Sequence, residues 1–301
     1  MMNLSGVLTP IPTPFDDCGD VDLAKVSAAL TRWLVSPLTG FVILGTNGEA
    51  VLLDETESDR MIDAARTIVP SDRWFIVGTG RESTRATLAA TRRAASLGAD
   101  AVLVRTPGFF KAQMTAQAFV RHYSAVADES PVPILLYNFT AVTGVTLPVE
   151  AVAQLAAHPN VIGMKESGGD ILRLSDLAAV ASPGFALLAG SVANFHAALC
   201  RGAAGGILAL ASVLPFACTR VFELTRTGRD EEARALEQQL LPIGKLVGSN
   251  YGIPGLKAAL KLVGCDVGTA RPPLLPLDDA VMPELADALS AFDEAHGHVA
   301  S

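Results

Sequence analysis

The chain has 301 residues, half of them hydrophobic, with 18 % charged, 6 % aromatic and 31 acidic against 23 basic side chains. So much apolar content excludes a disordered chain, and a net charge of −8 speaks against nucleic acid, which calls for a basic face. The length would suit two average domains, but a (β/α)8 barrel of roughly 250 residues is a single one.

The opening Met1-Met2-Asn3-Leu4-Ser5 lacks a basic region followed by an apolar one, so no signal peptide is expected and a cytoplasmic protein is. Two stretches, 131–149 and 202–219, carry no charge. Prolines and glycines interrupt both, so they read as buried strands and loops rather than membrane spans. Cys18, Cys200, Cys218 and Cys265 show no close pairing and are expected to be free thiols.

Along the chain, short runs that are apolar throughout predict strands at Gly6–Thr9, Phe41–Leu44, Trp74–Val77, Ala101–Val104, Ile134–Tyr137, Val161–Lys165, Ala186–Ala189 and Gly206–Leu210. Unbroken apolar runs are the mark of strands buried on both faces. Helical patterns lie between them. Asp54 with Glu57 forms a predicted capping box, and Ser83 is a predicted cap for a helix marked by Ala86, Ala90, Ala94 and Leu97. Gly40, Gly98 and Gly202 each stand between a helix and a strand, the place for a left-handed helix end. After the last strand, helical patterns cover 213–226, 230–246, 253–263 and 283–295. The fold class that results is α/β: a (β/α)8 TIM barrel at 1–215, with an added C-terminal helical bundle at 216–301 packed on it. An open doubly wound sheet is the competitor.

Gly78-Thr79-Gly80-Arg81-Glu82-Ser83 imitates a dinucleotide-binding turn. Ser83 stands where the third glycine belongs, so an ordinary strand-to-helix turn is expected. His296 and His298 have no further ligands in view, so no metal is expected there.

In a barrel, chemistry sits at the C-terminal ends of the strands. Of six lysines, Lys165 alone ends an apolar strand. A neutral amine in such a place attacks carbonyls and can form a Schiff base. The alternative is a lysine that snorkels or pairs with Glu166 or Asp170. Tyr137 ends the preceding strand, where its phenol could shuttle a proton; a packed core tyrosine is the alternative. The loop Gly45-Thr46-Asn47-Gly48-Glu49 offers backbone N–H groups and the Thr46 hydroxyl to a carboxylate. Glu49 is expected to brace this loop.

Together these strand ends resemble the dihydrodipicolinate synthase / N-acetylneuraminate lyase family of class I aldolases, over about Gly6 to Val263. Gly45–Glu49 is similar to the family's G-T-T-G-E loop. Tyr137-Asn138 with Thr143-Gly144 is similar to its Y-N…T-G segment, and Gly163-Met164-Lys165-Glu166-Ser167 to the segment bearing its Schiff-base lysine. The spacing of 28 residues from Tyr137 to Lys165 also suits the family. The resemblance implies that Lys165 forms an imine with a 2-oxo acid, usually pyruvate, with no other cofactor. It implies that Tyr137 shuttles protons, that Thr46 and Asn47 bind the carboxylate and relay protons, and that Gly190, Ser191 and Ile207 line the pocket through backbone groups. It also implies a homotetramer, a dimer of dimers.

Departures from the family narrow the substrate. Synthases carry Y-N-x-P-x-R-T-G, but here the arginine position is Val142 and the proline position Thr140. A relay tyrosine after Thr-Pro, contributed across a subunit interface, is replaced by Phe109 and Phe110, so water or Ser167 is left to replace it. Gly163–Asp170, Leu188–Ser191, Gly202–Gly206 and Gly252–Lys257 look closer to 4-hydroxy-2-oxoglutarate aldolase. The expectation is therefore a lyase that cleaves 4-hydroxy-2-oxoglutarate to pyruvate and glyoxylate. The alternatives are an aldolase or dehydratase for a 3-deoxy-2-oxo sugar acid, dihydrodipicolinate synthase, and a non-catalytic oxo-acid binding protein.

Overall fold

The computed structural model describes residues 4–296; His298 lies outside them. Eight parallel strands close into a barrel in chain order. They are β1 (Gly6–Pro10), β2 (Gly40–Ile43), β3 (Trp74–Gly78), β4 (Ala101–Arg105), β5 (Ile134–Asn138), β6 (Val161–Glu166), β7 (Ala186–Ala189) and β8 (Gly205–Ile207). Each strand pairs with the next from β1 to β8, and β8 pairs with β1, with a register shift at Ile134/Leu135 between β5 and β6. This closure rules out the open sheet. Long helices at Leu23–Leu34, Glu55–Arg66, Thr84–Ser96, Ala116–Glu129 and Ile171–Val180 cover the outside, and others at Pro215–Arg226, Asp230–Lys245, Gly252–Leu262 and Met282–His296 follow β8. Among the described residues no helix is long and apolar enough to cross a membrane.

Two cores follow from the alternation of strand side chains. Leu8, Val42, Ile76, Leu103, Leu135, Leu188 and Ile207 fill the barrel. The other face of each strand packs on the helices, and that outer core extends to Leu240, Leu256 and Leu289 of the helices after β8. Strands apolar on both faces are thus explained by burial on both faces.

Local signals fare unevenly. The capping box forms: Asp54 accepts from the Glu57 N–H while the Glu57 carboxylate accepts from the Asp54 N–H. Ser83 accepts from Ala86 as expected, and Gly98 and Gly202 are left-handed, with φ of 90° and 95°. Gly40 is not a helix end but the first residue of β2, where a side chain would strike the Trp74 backbone. The last strand stops at Ile207 instead of Leu210, and residues 209–212 wind into a short 3-10 turn. Leu44 leaves β2 because its φ is +55°. The Gly78–Ser83 segment is the strand-to-helix turn expected of it, with Ser83 spent on its cap.

One ion pair ties the end of the chain to its beginning. Arg271 donates to both oxygens of Glu57, and to the carbonyls of Leu52 and Gly19. Its hydrogen bond holds the Glu57 carboxyl below the ordinary 4.5, although burial pulls the other way. A depressed folded-state value gives stability that is present above pH 4.5 and lost as pH falls through the folded value. Thermal melts from pH 7 down to 3 are expected to show this loss, and Glu57→Gln is expected to flatten that part of the profile while lowering Tm at pH 7.

Candidate active site

The register of the strands assembles the site. Tyr137 of β5 pairs with Lys165 of β6, and Arg105 of β4 pairs with Tyr137. Residues paired in register on parallel strands face the same side, and Tyr137 belongs to the cluster inside the barrel. Arg105, Tyr137 and Lys165 therefore form a row at the C-terminal mouth. Lys165 is buried, and its Nζ lies 4.6 Å from the centre of the Tyr137 ring. The Tyr137 hydroxyl is 3.1 Å from Thr46 Oγ1, which comes from the loop after β2. An amine, a phenol and a second hydroxyl thus meet in a place nearly closed to bulk water. Such a set can form an imine and move a proton next to it.

Neither nearby carboxylate claims the lysine. Glu166, next in sequence, points to the other face of β6. Its oxygens accept from Asn138 Nδ2 at 3.0 and 3.1 Å, from Arg173 Nε at 2.8 Å and from the Gly168 N–H at 2.7 Å. Asp170 caps the helix Ile171–Val180 by accepting from Leu172 and Arg173. The structural alternative for Lys165, an ion pair with one of these two, is therefore absent. Glu166, Asn138 and Arg173 instead clamp β5 to β6, because Asn138 also accepts from the Leu147 N–H and Arg173 donates to the Leu147 carbonyl. That clamp fixes the strand ends carrying Tyr137 and Lys165.

The loop carrying Thr46 and Asn47 is held under strain. Leu44 and Glu49 at its two ends both have positive φ, 55° and 53°, a conformation costing a non-glycine residue about 1–3 kcal/mol. The brace is buried. Glu49 Oε1 lies 2.7 Å from Lys257 Nζ, and Glu49 Oε2 accepts from the Arg271 N–H. Lys257 also donates to the carbonyls of Thr13 and Thr269, while Thr13 donates to the Gly48 carbonyl. Burial pulls the Lys257 ammonium below the ordinary lysine range, against the opposing attraction of Glu49. Glu49 therefore braces the loop, as expected, and its partners come from the far end of the chain.

The remaining expected residues lie around this centre. Asn47 is half-buried beside Thr46. Ser167 follows Lys165 by two, and its hydroxyl stands 2.0 Å from where a side chain on Gly190 would begin. Only a glycine at 190 leaves room for that serine. The Gly190 N–H is taken by the Glu166 carbonyl, and Ser191 accepts from the Ala193 N–H. Ile207 is fully buried at the end of β8. Val142, Phe109 and Phe110 are strongly exposed. No phenol or guanidinium reaches the site from those three places.

A residue outside the expected set joins the row. Arg105 Nη1 donates to Glu82 Oε1 at 2.7 Å, and Glu82 Oε2 accepts from the Gly108 and Phe109 N–H groups. Gly80 makes space for it, since a Cβ there would lie 2.7 Å from Arg105 Cγ. The sequence hides Arg105 because its run, Ala101–Arg105, reads as an apolar strand ending at Val104.

A sequence model of the dihydrodipicolinate synthetase family matches residues 3–292. The chain belongs to that family. It is 37 % identical over 290 residues to a 4-hydroxy-tetrahydrodipicolinate synthase of Xanthomonas campestris, covering 96 % of this chain and 95 % of the relative. It is 36 % identical over 296 residues to an Emericella nidulans protein named "Probable 4-hydroxy-2-oxoglutarate aldolase, mitochondrial", covering 96 % and 94 %. Its fold superposes on a dihydrodipicolinate synthase of Bacillus anthracis with a TM-score of 0.92 at 27 % identity, covering 97 % and 99 % of the two chains. A chloride-inhibited dihydrodipicolinate synthase of Acinetobacter baumannii, solved with pyruvate, gives 0.91 at 28 %, covering 96 % and 98 %. Membership of the dihydrodipicolinate synthetase family makes this chain an enzyme, a class I carbon–carbon lyase.

Proposed function

We propose that this lyase cleaves 4-hydroxy-2-oxoglutarate to pyruvate and glyoxylate through an imine on Lys165. The observation that carries the chemistry is the buried Lys165 amine against Tyr137, itself bonded to Thr46. Lys165 Nζ adds to the C2 carbonyl, water leaves, and the protonated imine becomes an electron sink. Tyr137 takes the C4 hydroxyl proton, with Thr46 or Ser167 as its relay, and the C3–C4 bond breaks. Glyoxylate departs as the aldehyde, and the pair of the broken C3–C4 bond passes into the iminium to give the enamine of pyruvate. Protonation at C3 and addition of water release pyruvate and restore the amine. In this route the iminium does the work a metal would otherwise do. Thr46 and Asn47 hold the C1 carboxylate, and Gly190, Ser191 and Ile207 bound the pocket.

The choice of substrate rests on what the mouth lacks and what it holds. The arginine and tyrosine that the resemblance assigns to a synthase are Val142 and Phe109, both turned to solvent. The cation in the mouth row is Arg105, which suits the second carboxylate of a short 2-oxo diacid. Arg105→Ala is expected to raise KM for 4-hydroxy-2-oxoglutarate roughly tenfold or more with little change in pyruvate binding. An unchanged KM would remove Arg105 from this reading. Tyr137→Phe keeps the ring but loses the proton, and kcat is expected to fall roughly 10²–10⁴-fold, checked by steady-state kinetics.

The names of the relatives favour one second reading, since most of them are 4-hydroxy-tetrahydrodipicolinate synthases. Pyruvate release from 4-hydroxy-2-oxoglutarate, measured beside a reductase-coupled synthase assay and a panel of 3-deoxy-2-oxo sugar acids, decides among them. Turnover of another substrate at a rate well above the first rejects the proposal. Pyruvate binding with no turnover would instead indicate an oxo-acid binding protein. The same reading has the chain acting in the cytoplasm as a homotetramer, for which sedimentation at the mass of four chains is the check.

A further inference from the structure

Outside the barrel, the helix Phe195–Cys200 packs beside the start of the helix Asp230–Lys245. His196 and Cys200 are four residues apart on the first, so their side chains share one face. Asp230 opens the second. His196 Nε2 lies 3.1 Å from Asp230 Oδ1 and 3.5 Å from Cys200 Sγ, and Sγ lies 3.7 Å from the same Oδ1. Three different ligand types therefore converge on one triangle.

The size of that triangle is informative. Zinc bonds of about 2.0 Å to nitrogen and oxygen and about 2.3 Å to sulfur, at tetrahedral angles, give edges of about 3.3 Å for N–O and about 3.5 Å for N–S and S–O. Each observed edge is within a few tenths of an ångström of that figure. We propose that His196, Cys200 and Asp230 bind a divalent zinc-class metal ion, clipping the helix after β7 to the helix at 230–245. Imidazole, thiolate and carboxylate together suit zinc rather than magnesium or calcium, which prefer all-oxygen shells. A thiolate and a carboxylate bring two negative charges to a dication, and the thiol proton goes to solvent on binding. Arg201 and Arg234 are the nearby cations opposing it.

The setting is built on one side and open on the other. His196 is buried, and its backbone N–H donates to the buried Glu237 carboxylate at 2.7 Å. Cys200 and Asp230 are exposed, which leaves an entry path and a fourth position for water. None of the three belongs to the Lys165 site, so the ion's role is structural.

The test uses the full chain freed of metal by a chelator. Zn²⁺ is titrated against a chromogenic competitor, and Co²⁺ is added separately as a spectroscopic probe. One equivalent should bind per chain with micromolar or tighter affinity, and Co²⁺ should give a thiolate-to-metal absorption band. Zn²⁺ should also raise Tm. Cys200→Ala should abolish the band, and Asp230→Asn should weaken Zn²⁺ binding about 10–100-fold. Both positions are exposed, and trapping of pyruvate on Lys165 in the variants reports that they fold. Binding weaker than micromolar, or a band and affinity that survive both substitutions, would overturn the proposal. In that case the triangle is a histidine–aspartate pair with a thiol hydrogen bond.

Discussion

Lys165→Ala is expected to lower kcat about 10⁴-fold or more and to abolish trapping of pyruvate by borohydride. Borohydride reduces an imine to a stable secondary amine, so the unaltered chain incubated with pyruvate should gain one adduct, located by peptide mass on Lys165. The variant should gain none, since no other lysine stands at a strand end inside the barrel. Its fold should survive. Lys165 donates to no carboxylate among the described residues, so its loss strands no buried charge. An adduct on another lysine, or wild-type activity in the variant, would reject the Schiff-base assignment. Arginine at 165 would not rescue, because a guanidinium stays protonated and cannot attack a carbonyl.

Lys257→Ala should behave in the opposite way. Lys257 touches no part of the Lys165–Tyr137 pair, but it is the buried partner of Glu49. Removing one member of a buried pair leaves the other charge uncompensated, at a cost of about 3–5 kcal/mol. A domain's whole stability is about 5–15 kcal/mol, so the loss is severe, of the order of 10 °C in Tm. The folded fraction should still form the borohydride adduct, with weaker affinity for pyruvate, because Thr46 and Asn47 lose their brace. Replacing both partners, Lys257→Met with Glu49→Gln, should recover much of the stability, since breaking a buried pair costs more than removing it. Calorimetry and pyruvate titration separate the two effects. A Tm unchanged in Lys257→Ala would show that the pair carries no stability.

Several parts of this molecule are legible in one dimension. Apolar runs on buried strands, helix caps at Asp54 and Ser83, and left-handed ends at Gly98 and Gly202 are local, so their residues carry the signal. Lys165, Tyr137 and Thr46 could be named because a barrel directs strand ends to one mouth, which turns a position in sequence into a position in space. Arg105 escaped because a charged residue closing an apolar run resembles the first residue of a loop. The partnership of Glu49 with Lys257 and Arg271 escaped for another reason. It joins residues more than two hundred positions apart, and no local pattern records a contact of that range. Gly40 misled because close approach of two strands and a left-handed turn both demand a missing side chain. The His196–Cys200–Asp230 triangle needs two helices to meet, and only half of it, the i, i+4 spacing, is visible in the chain.

The brace has a consequence for how the enzyme comes into being. Its loop-holding groups, Lys257 and Arg271, are made more than two hundred residues after the loop itself. At 5–20 residues per second, the stretch from Glu49 to Lys257 takes roughly 10–40 s to synthesise. Through that interval a nascent barrel carries Glu49 without its counter-ion and the Thr46 loop without its anchor. Full affinity for pyruvate therefore arrives only after the helix Gly252–Leu262 and the segment through Arg271 have been made. A nascent chain stalled before residue 257 should bind pyruvate more weakly than the released chain, even though every residue in the proposed chemistry has already been made.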